Sequence, residues 1–268
     1  MKTFGSILAF LWMGASLFFF VAAHAHEQRV YRIGIEDLDY YPLFSSEHGH
    51  SAEDFGLLRQ ILERFARRQG IEFDYVSLPI TRFNHWYREK HIDFRLPDNP
   101  LWNGSDELDL HYSDALFEFF PTTVVLKSHE NLPFEQFQRL GILYGFTPST
   151  HWQQRIESGD VTLVRDRSIR VLVRLLYMGA IDGLDLHQTA VAHYASELGF
   201  DPSQLVVAAK AVPESAVAYQ MSTLHHEPLL ASLNDYLVQE VEEINQLKRL
   251  YGLDPNGFSS CRGGVCSF

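Results

Sequence analysis

"LYMGAIDGLDL", residues 176–186, closes a helix and opens a strand at Ile181-Asp182, and "YREKHIDFRL", residues 87–96, does nearly the same at Ile92-Asp93. A phrase that occurs twice, about ninety residues apart, points to two similar units rather than one long sheet. The surrounding sequence fits that reading. Residues 30–35, VYRIGI, read as a strand. Residues 51–70 read as a helix with Phe55, Leu58, Ile61, Leu62 and Phe65 on one stripe and Gly70 as its stop. EFDYVSL (72–78) is a second strand, ITRFNHWYREK (80–90) a short helix and HIDFRL (91–96) a third strand. The alternation restarts near residue 139, with strands at 140–145, 161–166, 181–186 and 204–212 and helices at 149–159, 168–180 and 188–199. Strands that alternate with helices build parallel sheets from βαβ units.

Two extended stretches separate these runs. SDALFEFFPTTVVLKSH (113–129) and ESAVAYQMSTLH (214–225) are rich in β-branched and aromatic residues. The expected fold class is therefore α/β: two α/β lobes joined by a two-strand hinge. Residues 26–120 would form the first part of lobe 1 and 121–214 lobe 2. Residues 215–252 would return to lobe 1 with one long helix at 227–251, whose stripe is Leu230, Leu233, Leu237, Ile244 and Leu247.

Residues 1–25 carry one charge, Lys2, then a long apolar run, and end in Ala23-His24-Ala25. That is the pattern of a secretory signal peptide cleaved after Ala25, and a membrane anchor is the rival reading. The chain of 268 residues has a net charge of −12, which argues against nucleic acid and anionic membrane partners. Cys261 and Cys266 are the two cysteines, near the C-terminus in the tail 253–268. In an exported chain they are expected to form a local disulfide, since two thiolates alone make a poor metal site. Thirteen histidines, including His48, His50, His225 and His226, show no spacing of a metal set. No metal or cofactor is expected. A phosphate-binding glycine loop and a Gly-x-Ser-x-Gly nucleophile turn are both missing from the sequence.

The order of the parts resembles the bacterial extracellular solute-binding proteins of family 3, the periplasmic receptors of polar amino-acid uptake, with the type II periplasmic binding fold. The resemblance runs from about residue 30 to 252. It is carried by YRIGI (31–35), DYYPLF (39–44), EDFGLL (53–58), EKHIDF (89–94), GAIDGLDL (179–186) and the closing EPLLASLNDYLVQEVEEINQLKRLYGLD (227–254). It implies a monomer in the periplasm that closes on a small-molecule ligand in an inter-lobe cleft, with an ABC importer membrane component as the partner. Two other uses of such a fold are a ligand sensor without transport and a cyclohexadienyl-dehydratase-like enzyme. No residue spacing singles out a general acid.

The resemblance places the turn after the first strand at the cleft lip, so Asp39, Tyr40 and Tyr41 are candidate ligand contacts. In the family an Arg of the first lobe takes the ligand α-carboxylate and an Asp of the second takes the α-ammonium. Neither is in register here. Residues 99–116 hold no Arg or Lys but do hold Asp106, Glu107, Asp109 and Asp114. The position expected for the Asp is His187, and Asp185 lies two residues before it. Arg95 is the candidate replacement cation, against a surface or inter-lobe salt bridge as the plainer role. Asn99 and Trp102, which follow it in the chain, are further candidate ligand contacts. YGFTPSTHW (144–152) opens a helix, and Thr147, Ser149 and Thr150 are candidate anion contacts, against simple helix capping by Ser149 or Thr150. With both anchors displaced, plain α-amino acids are expected to be held poorly.

N-terminal sequencing of the exported protein checks the first of these expectations. The chain should begin at His26; a product that keeps residues 1–25 and pellets with membranes would contradict the reading.

Overall fold

The computed structural model describes residues 29–45, 55–102, 108–211, 216–254, 260–262 and 265–267. The expected leader, His48, His50, Asp106 and Glu107 lie outside them. Among the described residues, no helix is long and apolar enough to cross a membrane.

The first sheet is built on β1 (Val30–Glu36), with β4 (Glu72–Leu78) and β5 (Phe94–Asp98) parallel to it on either side. Two short strands, β2 (Asp39–Tyr40) and β3 (Phe44–Ser45), form a small hairpin after β1. The helix α1 (Leu57–Gln69) buries Leu58, Ile61, Leu62 and Phe65 of the expected stripe together with Leu57, while Phe55 precedes the helix and is half-buried, and α1 ends at Gly70 in a left-handed conformation. A shorter helix, α2 (Phe83–Arg88), precedes β5. Beyond β5 come β6 (His111–Tyr112), β7 (Phe117–Phe119) and β8 (Thr123–Leu126), and β8 already belongs to the second sheet.

The second sheet repeats the plan. Its centre is β9 (Arg139–Leu143), flanked in parallel by β10 (Thr162–Asp166) and β11 (Gly183–Asp185). The helices are α3 (Thr150–Glu157), α4 (Ile169–Tyr177) and α5 (Gln188–Glu197). The order is β10-β9-β11-β8, closed by β12 (Leu205–Val207). The first sheet runs β4-β1-β5 and then β13 (Val217–Thr223) and β6. In each sheet the fourth strand is antiparallel and is reached only after a crossing between lobes. β7 and β13 pair side by side where the crossings begin and end, with Phe117 opposite Tyr219 and Phe119 opposite Val217. Two α/β lobes on a two-strand hinge is thus the observed architecture.

The repeated Ile-Asp phrase has a mechanical role in both lobes. The Asp93 carboxylate accepts the backbone N–H of Arg32 at 2.8 Å, and Asp182 accepts those of Gln138 and Arg139 at 2.8 Å. Each aspartate ties its helix–strand turn to the start of the central strand. Neither is a catalytic acid by position.

One expectation fails. Residues 227–251 are not a single helix but two, α6 (Glu227–Gln239) and α7 (Val241–Leu250), broken at Glu240 (φ −106°, ψ 25°). The stripe drifts across the break, and α7 turns to place Glu243 on Arg64 of α1, while Glu240 meets Arg68. The tail carries a hairpin, β14 (Ser260–Arg262) and β15 (Val265–Ser267), which sets Cys261 opposite Cys266. Their side chains, and so the expected disulfide, lie outside what is described.

The central strands leave no room for side chains where the helices cross them. A Cβ on Gly141 would meet Leu184 Cδ2 at 2.6 Å and Ile181 Cδ1 at 2.7 Å; one on Gly34 would meet Phe83 Cε1 at 2.8 Å. Gly141→Ala should therefore destabilise the protein by roughly 1–3 kcal/mol through overpacking. Urea unfolding measures this, and an unchanged midpoint would show that lobe 2 yields without cost.

Candidate functional site

Strands β1, β4, β5, β9 and β11 all point their carboxyl ends at the space between the lobes. Ligands of open parallel sheets sit at such edges. A cavity of about 380 Å³ lies there, walled by both lobes and by the hinge residues Phe119, Val217 and Tyr219. That volume suits a small solute.

The cavity wall includes Tyr40, Arg95, Trp102, Thr147, Ser149, Thr150, Asp185 and His187 of the residues singled out from sequence. Asp39, Tyr41 and Asn99 are not on it, and each has a different role. Asp39 accepts from Arg170 of α4 at 2.9 Å, an ion pair that crosses from lobe 1 to lobe 2. The Tyr41 N–H donates to the Tyr194 hydroxyl at 3.1 Å, and the Tyr41 ring lies 4.5 Å from that of His193. Asn99 donates to the Ala218 carbonyl at 2.7 Å, which fastens the loop after β5 to the hinge strand. Tyr40 does both jobs. It walls the cavity, and its hydroxyl accepts the His187 N–H of the opposite lobe at 2.6 Å. The turn 39–41 is thus a clasp between lobes as well as a cleft lip. Gly145 reinforces the closure, since its Cα lies so near Ile80 of the other lobe that a Cβ would meet Ile80 Cδ1 at 2.7 Å.

Arg95 is buried and engaged within its own lobe. Its guanidinium lies 3.3 Å from Asp98, 3.9 Å from Glu36 and 4.5 Å above the Phe83 ring. Asp98 is fully buried and also accepts from Ser222 at 2.6 Å and from the Asn99 N–H at 2.8 Å. The plainer reading of Arg95, a surface or inter-lobe salt bridge, does not describe these contacts: Arg95 is buried, its ion pairs with Asp98 and Glu36 lie within lobe 1, and it still faces the cavity.

Glu36 was not among the candidates. It is the last residue of β1, 3% exposed, on the cavity wall, and its Oε2 is buried without a hydrogen bond. Burial pushes its carboxyl up from 4.5 to about 7, against the opposing pull of Arg95. Its place at the carboxyl edge of the first strand was the available signal. An acid there reads from sequence as an exposed turn residue.

In the second lobe, Asp185 accepts both the Ser149 N–H (2.8 Å, Oδ2) and the Ser149 hydroxyl (2.6 Å, Oδ1). The Ser149 side chain therefore does not cap α3, although Ser149 stands at the cap position. The turn expected to receive a ligand anion holds the protein's own carboxylate instead. Burial raises Asp185 from 3.8 to about 6, with the Ser149 bonds opposing. His187 caps α5, its Nδ1 accepting the Thr189 N–H at 3.3 Å, and burial lowers it to about 4. It is neutral at pH 7, with its hydrogen assigned to Nε2 by that bond. The cavity thus brings one guanidinium together with the carboxyls of Glu36 and Asp185, and Asp98 lies behind.

No family model matches the chain, and no curated protein matches it either. Solved structures do. An ancestral arginine-binding protein bound to arginine superposes with a TM-score of 0.65 at 14% identity, over 84% of this chain and 99% of that one. A substrate-binding protein of an ABC uptake transporter from Streptococcus pneumoniae with bound histidine gives 0.64 at 14%, over 84% and 93%. An ancestral amino-acid-binding protein, a precursor of cyclohexadienyl dehydratase, gives 0.62 at 16%, over 83% and 95%. The fold is that of these two-lobed binding proteins, matched over 83–84% of this chain.

The raised carboxyls set a pH dependence. The folded protein holds protons on Glu36 and Asp185 that the unfolded chain has released once pH passes their ordinary values of 4.5 and 3.8. Their contribution to stability is full below those values and is lost as pH rises through about 6 to 7. His187 and His151, both lowered by burial to about 4, act in the opposite sense up to their ordinary value of 6.5, so the Glu36 contribution is read as a difference: measured against Glu36→Gln, the wild-type melting temperature should fall between about pH 5 and about pH 7.5. A difference that is level across this range would contradict the buried acid.

Proposed function

We propose that this protein is an exported solute-binding protein, a divergent relative of family 3, that captures a small solute between its lobes. The observation that carries the reading is the cavity at the facing carboxyl edges of two parallel sheets, walled by both lobes and by the hinge. Closing two lobes on a ligand needs such a surface on each and a pliable connection, here the paired strands β7 and β13. An ABC importer in the membrane is the partner this role calls for. It is in keeping with a solved relative by fold, the substrate-binding protein of an ABC uptake transporter.

The cavity also favours a particular solute. Plain α-amino acids are disfavoured because Arg95 is held by Asp98 and Glu36, and Asp185 occupies Ser149. A ligand carboxylate entering here would leave water for a site where acids predominate.

A thermal-shift screen against small polar and aromatic solutes tests the function. A solute at about a hundredfold excess over its Kd should add ~2.7 kcal/mol of stability, which raises the melting temperature by several degrees, and mass spectrometry should recover it unchanged. The twenty standard amino acids should leave the melting temperature within about a degree. Conversion of a hit to another compound would place the protein with the enzymes of this fold instead, and micromolar binding of a standard amino acid would overturn the selectivity.

A further inference from the structure

The cavity wall carries two kinds of chemistry. One is polar and acidic, and lies at Glu36 and Asp185. The other is a wall of Trp102, Phe119, Phe146 and Tyr219. The acids are not equivalent. Each oxygen of Asp185 already accepts one hydrogen bond from Ser149. Glu36 is less well served. Its Oε1 lies 3.9 Å from Arg95, beyond hydrogen-bond distance, and its Oε2 is buried without a partner. A buried acceptor left unmade is costly, and a donor brought by a ligand would relieve that cost.

A carboxylate entering the same cavity finds the opposite. The Ser149 N–H and hydroxyl are spent on Asp185. Asp185 itself stands where a ligand anion would approach, and like charges at such distances repel strongly in a dry site.

We propose that the cavity takes a small cationic amine that lacks an α-carboxylate, with its ammonium on Glu36 and its apolar body among Trp102, Phe119, Phe146 and Tyr219. This rests on the solute-binding reading above and names the ligand class for the same cavity. Asp185 acts as a built-in substitute for the missing carboxylate. It fills the turn at Ser149 and excludes the parent amino acid. The ammonium gains a charge-assisted bond to Glu36, and the aromatic wall offers ring faces to its substituents.

Matched pairs test this with one variable. Phenethylamine with phenylalanine, tyramine with tyrosine, and agmatine with arginine each differ only by the carboxylate. Calorimetric titration of the wild-type protein should find at least one amine that binds tenfold or more tighter than its parent amino acid. Glu36→Gln should then weaken that amine at least tenfold, with the circular dichroism spectrum as the check on folding. Asp185→Ala should move the other way. It frees Ser149 and should narrow the preference for the amine by tenfold or more. The wild-type comparison stands by itself even if a variant fails to fold. An amino acid that binds as well as its amine overturns the proposal. So does a panel in which no amine binds while a neutral or anionic solute from the wider screen does; the solute-binding reading would survive that result. If no solute of any class stabilises the protein, that reading fails as well.

Discussion

The lobes cannot be completed one at a time. The sheet of lobe 1 needs β13, which the chain supplies only after it has built all of lobe 2, and β13 then lies antiparallel to β5 with Ser222 opposite Arg95. The same strand pairs with β7 at the crossing. Two crossings held side by side fix which edges of the two sheets face each other. They are the carboxyl edges, so the loops that follow β1, β5, β9 and β11 are brought into one cavity. Hinge, cleft and contents follow from that one constraint. Asp98 shows how closely they are joined, because it holds Arg95 at the cavity, Ser222 on the hinge strand and the Asn99 N–H in the loop between.

Within that frame the electrostatics decide what the cleft receives. The wall of each lobe carries an acid, and the Arg95 guanidinium facing the cavity is partly answered by Asp98 behind it. Desolvation raises both carboxyls, Glu36 to about 7 and Asp185 to about 6, so that near neutral pH Glu36 is half-protonated while Asp185 is mostly ionised, which reduces the repulsion between lobes when they close. Closure also has its own fastenings beyond the cavity. Asp39 on Arg170, the Tyr40 hydroxyl on the His187 N–H and the Tyr41 N–H on the Tyr194 hydroxyl are three successive residues gripping the other lobe. The ligand need not supply all the energy of closing.

Much of the fold was legible because its signals are local. Alternating strands and helices, the Ile-Asp turns and the two aromatic crossings are each set by a few neighbouring residues, and they appear where the pattern puts them. The break at Glu240 was not legible, since it depends on Arg64 and Arg68 of a helix about 170 residues away. The site was read in part for the same reason. Asp185 and Tyr40 are legible because they end strands, where the chain reaches the edge, whereas Arg95 lies one residue into β5. Glu36 was passed over because its surroundings, Arg95 and Asp98 of β5 among them, lie about sixty residues away in the chain. Asp39 and Tyr41 share the lip with Tyr40, yet they turn to α4 and α5, a choice that only the packed lobes make.

The central claim is that the anion-binding turn of the second lobe is already taken by Asp185. The Ser149 amide reports on that directly, and it can be followed by NMR while solutes and acid are added. The account predicts that its resonance moves with the ionisation of Asp185 and stays in place through titration with each standard amino acid. A saturable shift of the Ser149 amide at micromolar amino acid, insensitive to Asp185→Ala, would show that the turn is open to a ligand carboxylate and would contradict the account.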